Sequence, residues 1–225
     1  MQVNGIRRPR LFLMMVLVFV LASITFVQGE ISAAPIGGLY STGVNDSGDV
    51  LPDGSKDPHY QFLLPNPAAT TDPSKIPLNT LPGPWVPAPA GSAWIGPNAG
   101  GPIGPGGNYS YVLTFDLLGF DLSTVSISGE WASDNSSSIF LNGNFTDYSR
   151  AFDQFGTLEP FTLTEYFVPG SNTLEFVVNN AGDGATGLIV ARLEGTGAEV
   201  PLPGAIWLLG TSLIVLLAIK RKLRS

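Results

Sequence analysis

The sequence predicts an all-β body, an antiparallel β-sandwich of jelly-roll type, set between two apolar ends. Three observations predict it. Segments that alternate apolar and polar residues recur at roughly ten-residue spacing through residues 108–195. Glycine (27) and proline (19) punctuate the 225 residues densely, without a collagen period, and so supply many turns. Between the two ends no segment carries the 3.6-residue apolar repeat of an amphipathic helix.

The elements follow in chain order. Arg7, Arg8 and Arg10 precede an uncharged run from Leu11 to Val27, and small residues follow at Gly29, Ser32, Ala33 and Ala34. This is the pattern of a secretory signal peptide over residues 1–29, cut after Gly29 or after Ala33, and at the latest after Ala34. A β-sandwich domain is then expected over residues 35–197, with a loop-rich part at 35–107 and a strand-rich core at 108–195. The loop-rich part opens with Gly43 to Tyr60, where turn formers alternate with carboxylates. Asp46, Asp49, Asp53 and Asp57 have the oxygen chemistry to hold calcium, although the stretch lacks the spacing and closing glutamate of a helix-loop-helix calcium site. Solvated turn carboxylates are the plainer alternative. Tyr60 to Leu64 is a short apolar run, Ser92 to Pro97 a short strand around Trp94, and residues 100–107 a glycine loop.

In the core, strands are expected over 109–117, 124–131, 138–141, 157–167, 173–179 and 187–193. Asn142-Gly143 and Pro169-Gly170 mark tight turns between them.

Charge and composition narrow the function. All 18 acidic residues lie between Glu30 and Glu199, opposed there only by Lys56, Lys75, Arg150 and Arg192. Such an acidic body repels nucleic acid and anionic membrane surfaces, and suits cations or neutral glycans as partners. Cysteine is absent and His59 is the single histidine, so disulfides and the usual zinc ligand sets are excluded.

The C-terminal stretch, 198–225, has its own logic. Ala205 to Ile219 is uncharged, and Val200 to Ile219 as a helix would be about 30 Å long, enough for one hydrocarbon core. Lys220, Arg221, Lys222 and Arg224 follow directly, a basic stop that would stay in the cytoplasm while the body lies outside. Pro201 and Pro203 force an extended approach, so the span is expected over residues 204–219. Val200-Pro201-Leu202-Pro203, the apolar span with Trp207, and the terminal basic cluster resemble the PEP-CTERM sorting signal of exopolysaccharide-producing Gram-negative bacteria. Leu202 stands where the namesake motif has Glu. The resemblance implies processing by an exosortase-type membrane enzyme near the proline motif, after a signal peptidase has acted at the other end. An ordinary uncut single-pass anchor is the alternative.

A second resemblance covers most of residues 43–195. Trp94-Ile95-Gly96-Pro97, Trp131-Ala132-Ser133-Asp134-Asn135, Leu141-Asn142-Gly143 and Asn172 to Asn180 look like the body that often accompanies this sorting tail in bacterial surface proteins. The Trp131 to Asn135 strand followed by the Leu141-Asn142-Gly143 hairpin is also similar to galactose-binding-like jelly rolls, the sandwich of many carbohydrate-binding modules. It implies a fold and a surface location, and carries no activity to named residues. By residue type, Trp131, Asp134, Asn135, Asn142, Asn144, Asn179 and Asn180 are candidates for glycan contact, because neutral sugars need a flat apolar face flanked by amides and carboxylates. Trp131 filling the core, and asparagines satisfying turn backbone, is the competing reading.

No serine elbow, zinc-protease helix or phosphate loop is present. A two-carboxylate glycosidase would need only residues such as Asp134, Asp153, Glu159 or Glu165, whose spacing singles out no pair. The sequence therefore points to a non-catalytic exported protein of the envelope or extracellular matrix, without a cofactor unless calcium is held. It would be associated with exopolysaccharide and anchored in the inner membrane at least until its tail is processed. Alternatives are a carbohydrate-binding module and, less favoured, a polysaccharide hydrolase.

Overall fold

The computed structural model describes residues 32–63, 72–200 and Lys220. The expected signal peptide and the expected membrane span lie outside these residues. Among the described residues, no helix is long and apolar enough to cross a membrane.

The strands are β1 (Ala33–Pro35), β2 (Tyr60–Phe62), β3 (Ser74–Lys75), β4 (Ile95–Gly96), β5 (Ile103–Gly104), β6 (Gly107–Asp116), β7 (Phe120–Asp134), β8 (Ser137–Leu141), β9 (Asn144–Arg150), β10 (Glu159–Leu163), β11 (Ser171–Asn180), β12 (Gly184–Ala185) and β13 (Gly187–Glu199). They form two main antiparallel sheets. One runs β10-β7-β13-β4-β3, with β1 also paired to β13; the other runs β2-β6-β11-β8-β9. A small β5-β12 pair stands apart. The chain changes sheet between β6 and β7, β7 and β8, β9 and β10, and β10 and β11, the repeated crossing expected of a jelly roll.

Alternation places the core. On β6 the residues Tyr109, Tyr111, Leu113 and Phe115 are buried, and on β11 Leu174, Phe176 and Val178 are buried, while the residues between them reach the outer face. These side chains meet Val125, Ile127, Trp131, Phe161 and Val190 of the opposite sheet in one apolar cluster. Trp131 and Phe161 both stand against Phe176, with ring centroids 5.7 and 6.0 Å apart, so an aromatic trio bridges the two layers.

The loop-rich part is not idle. Within residues 76–94, Ile76, Trp85 and Trp94 pack over Ala132 and Ile189 of the β7-β13 sheet in a second cluster. The Trp85 and Trp94 rings lie 4.2 Å apart. Trp85 donates its indole N–H to Asp134 Oδ2 at 2.8 Å, and Trp94 donates to Val86 O at 2.9 Å. Gly187 makes the close approach possible: a Cβ there would stand 2.9 Å from the Trp85 ring.

Several expected boundaries shift for physical reasons. The strand expected over 157–167 is only Glu159–Leu163. It ends because Tyr166 turns left-handed at φ 65° and Asn172 staples the following turn, accepting from Val168 N–H and donating to Val168 O and Gly170 O. The strand expected at Ser92–Pro97 shrinks to Ile95–Gly96, because the rest of it belongs to the covering loop. β9 is absent from the expected strands. Its sequence Asn-Phe-Thr-Asp-Tyr-Ser-Arg buries only the last residue, the mark of a sheet-edge strand with no apolar face. The Asn142-Gly143 turn joins β8 to β9 as predicted, with φ of 51° and 77°, the geometry of a type I′ hairpin.

Candidate functional site

The two sheets leave a seam where β9, the edge of one, comes beside β10, the edge of the other. Tyr148 spans it. The Tyr148 hydroxyl donates to Thr162 O at 3.0 Å and accepts from Thr162 N–H, also at 3.0 Å. Its ring meets Phe161 edge-on at 6.1 Å, tying the seam to the core.

Alongside this bridge opens a cleft of about 340 Å³, lined by Thr146, Asp147, Tyr148, Thr162, Leu163, Thr164, Glu165 and Tyr166. That volume is at the lower end of small-ligand sites. Alternation on β10 sends Thr162 outward and Leu163 inward, so the wall is polar and its base apolar. Tyr166 is 45% exposed and its carbonyl accepts from Asn142 Nδ2 at 2.8 Å. Asp147 and Tyr166, both in the lining, are left-handed, at φ 66° and 65°. That conformation is unfavourable for residues with a Cβ, and such outliers concentrate at functional positions.

The chemistry of the lining is specific. The lining brings two tyrosines, three threonines and two carboxylates to one opening, with the Thr146 O–H given to Ile139 O at 2.9 Å and the Tyr148 hydroxyl held by Thr162. None of the lining residues is basic. An uncharged polyol or an ammonium-bearing ligand fits this set; a polyanion does not.

The residues singled out from sequence fall elsewhere. Trp131 is 0% exposed and belongs to the core, so it is no sugar platform. Its indole N–H has no acceptor among the described residues. Asp134 and Asn135 form the corner between β7 and β8: Asp134 accepts from Trp85 and from Asn135 Nδ2, and Asn135 Oδ1 accepts from Ala181 N–H at 2.9 Å. Burial holds the Asp134 carboxyl above the usual range, partly offset by the Trp85 hydrogen bond. Asn142 is spent on Tyr166 O, Asn172 and Thr173 N–H. Asn144 donates to Leu141 O and Asn142 O inside the hairpin. Asn180 donates to Gly104 O and Pro105 O, and Asn179 pairs with Asn108 at 2.7 Å on the surface. These residues build corners and turns rather than one shared binding surface. Of the carboxylates considered for catalysis, Glu165 alone lines the cleft.

The four aspartates offered as calcium ligands do not converge. Asp57 is 3% exposed and accepts three backbone N–H groups, from Gly43 at 2.6 Å, His59 at 2.9 Å and Tyr60 at 3.1 Å. Burial pushes its carboxyl up, and those three donors pull it back. Asp53 is paired with Lys75, whose hydrogen bond holds its carboxyl below the ordinary value. Asp46 stands 3.6 Å from His59 Nε2, and Asp49 donates its N–H to Asn45 Oδ1 at 3.0 Å. Among the described residues no group of three or more carboxylate or histidine side chains could hold a metal ion.

Composition gave no signal for the cleft, because Thr146, Tyr148 and Thr162 are ordinary strand residues and Thr164 lies just past the end of β10. The outward alternation Thr162-Leu163-Thr164 and the aromatic-polar alternation of β9 are the signals that would have found it.

No protein-family model matches the sequence, and no curated protein does. Among solved structures, the chain is similar to a CBM35 from Paenibacillus barcinonensis, at 15% identity over 60% of this chain and 92% of that one, with a TM-score of 0.34. It is similar to a family 35 carbohydrate binding module from an environmental isolate, at 13% identity over 43% and 74% of the two chains, TM-score 0.28. A third is the CBM36-1 domain of a multidomain xylanase from the hindgut metagenome of Trinervitermes trinervoides, at 11% identity over 75% and 98%, TM-score 0.31. Likeness at this level assigns no ligand to the cleft.

Proposed function

We propose that the body is a non-catalytic glycan-binding sandwich, and that the seam cleft is where it takes its ligand. The observation that carries this is the pairing of Tyr148 and Tyr166 with Asp147, Glu165 and three threonines around one opening. Stacking of a sugar ring on a tyrosine, with hydroxyls bonded to carboxylate and threonine oxygens, is the binding chemistry such a lining supports. With two carboxylates and no basic lining residue, neutral or amino sugars are favoured over uronic acids. The two ends of the sequence support the wider reading: an exported surface or matrix protein, sorted by an exosortase-type system and held near exopolysaccharide.

Titration calorimetry of the body with neutral, amino-sugar and uronic oligosaccharides tests the binding claim. Saturable binding of a neutral or amino-sugar oligomer, weakened about tenfold or more in Tyr166→Ala, is the expected result. Preference for the uronic oligomer, or no binding in any series, overturns it. Release of shortened sugars would instead favour the hydrolase reading, with Asp147 and Glu165 as its carboxylates.

A further inference from the structure

The described chain enters and leaves the body at one pole. Ala33, at the head of β1, lies opposite Ala198, and Glu199 lies opposite Phe120, the first residue of β7. Val200 then donates its N–H to Gly119 O at 2.7 Å, and Leu117 donates to Gly170 O at 2.8 Å, so the β6–β7 turn, the loop before β11 and the end of β13 meet there. The turn is tight. Phe120 N–H donates to Leu117 O at 3.1 Å, Leu118 N–H donates to Asp116 Oδ1 at 2.6 Å, and Gly119 takes φ 90°, a left-handed position that glycine serves. Leu118 is thereby held out at the apex, 78% exposed, with Val168 (40%) and Val200 (53%) on the segments beside it. The charged residues of these segments are Asp116, Asp121, Glu165 and Glu199; residues 116–121, 165–170 and 198–200 contain no Lys or Arg.

We propose that this pole seats on the surface of a bilayer of zwitterionic lipid, with Leu118, Val168 and Val200 entering its interfacial layer. The proposal rests on the membrane-anchor reading of the C-terminal run. That uncharged run starts at Ala205, five residue steps beyond Val200, and five steps reach about 18 Å at full extension. A span beginning there keeps the body within that distance of the lipid, and the end of the body nearest the lipid is the one from which Val200 leaves. Leu118 gains almost no burial from its own body; the interfacial layer supplies it. Three apolar side chains are a weak membrane ligand alone, but a tether makes their contact an intramolecular step, so they suffice to set orientation. Charge selects the lipid. Four carboxylates without a basic residue are repelled by anionic headgroups.

The test is fluorescence quenching on vesicles. The chain has no cysteine, so full-length Leu118→Cys, Val168→Cys and Ala181→Cys proteins each carry one fluorophore at a known place. Ala181 follows the far end of β11 and marks the opposite pole. In phosphatidylcholine vesicles with nitroxide-bearing headgroups, quenching at positions 118 and 168 should be about threefold or more that at 181. Adding Leu118→Asp to the Val168→Cys protein should lower quenching at 168 toward the level at 181, and phosphatidylglycerol in the vesicles should lower it too. Vesicle-bound protein with equal quenching at all three positions overturns the proposal and leaves the anchor reading intact. Protein that washes free of the vesicles overturns both, and stronger quenching with added phosphatidylglycerol overturns the assigned lipid class.

Discussion

Tyr148 satisfies both backbone groups of Thr162, donating to its carbonyl and accepting from its N–H at 3.0 Å each. Thr162 is on β10, an edge strand, whose outward backbone groups would otherwise face water or an incoming chain. One phenol thus stands in for a neighbouring strand and fixes the distance between the two walls of the cleft.

Tyr148→Phe should therefore destabilise the body by about 1–2 kcal/mol, two hydrogen bonds lost with the ring retained. Urea unfolding measures it. No change in the midpoint would mean that water replaces the hydroxyl and that the seam is not held this way.

Tyr166→Gly separates stability from binding. Glycine tolerates φ 65° without a Cβ clash, so stability should hold within about 1 kcal/mol or rise. Glycan binding should be lost with the ring. A variant that melts normally and binds normally would remove Tyr166 from the site.

Asp57→Ala leaves three backbone donors, of Gly43, His59 and Tyr60, without their acceptor in a buried corner. A loss of about 3 kcal/mol or more is expected. Asp46→Ala, at an exposed position, should stay within about 0.5 kcal/mol. Comparable losses in the two would contradict the division between a structural aspartate and a surface one.

Asp134 gives a pH signature. Its carboxyl is raised by burial above its ordinary 3.8, so the fold prefers the protonated form. The stability this contributes is complete below pH 3.8 and is lost as pH rises through the raised folded value. Wild type relative to Asp134→Asn should accordingly be most stable at about pH 3 and lose ground toward neutrality. Chemical unfolding across that range checks the slope, and a rise with pH would refute it.

The layered β body was legible because β6 and β11 alternate cleanly and the Asn142-Gly143 turn announces its hairpin. β9 was not, since an edge strand without a buried face has no apolar period to read. The seam cleft went unseen for a related reason. Trp131, Asp134 and the asparagines are conspicuous by type, yet a tryptophan between two sheets is worth more as core, and an asparagine beside a turn satisfies local backbone first. Glu165 and Tyr166 share an opening with Thr146 and Tyr148 only through the sheet crossing that sets β10 beside β9, a relationship between edges that no local window contains.

The pairing of β13 with β7 on one flank and β1 on the other also sets how the molecule bears load. A pull applied at Val200 enters at the end of β13, which cannot leave the body without breaking its ladders to β1 and to β7. Load entering there is shared between two flanks rather than carried by one.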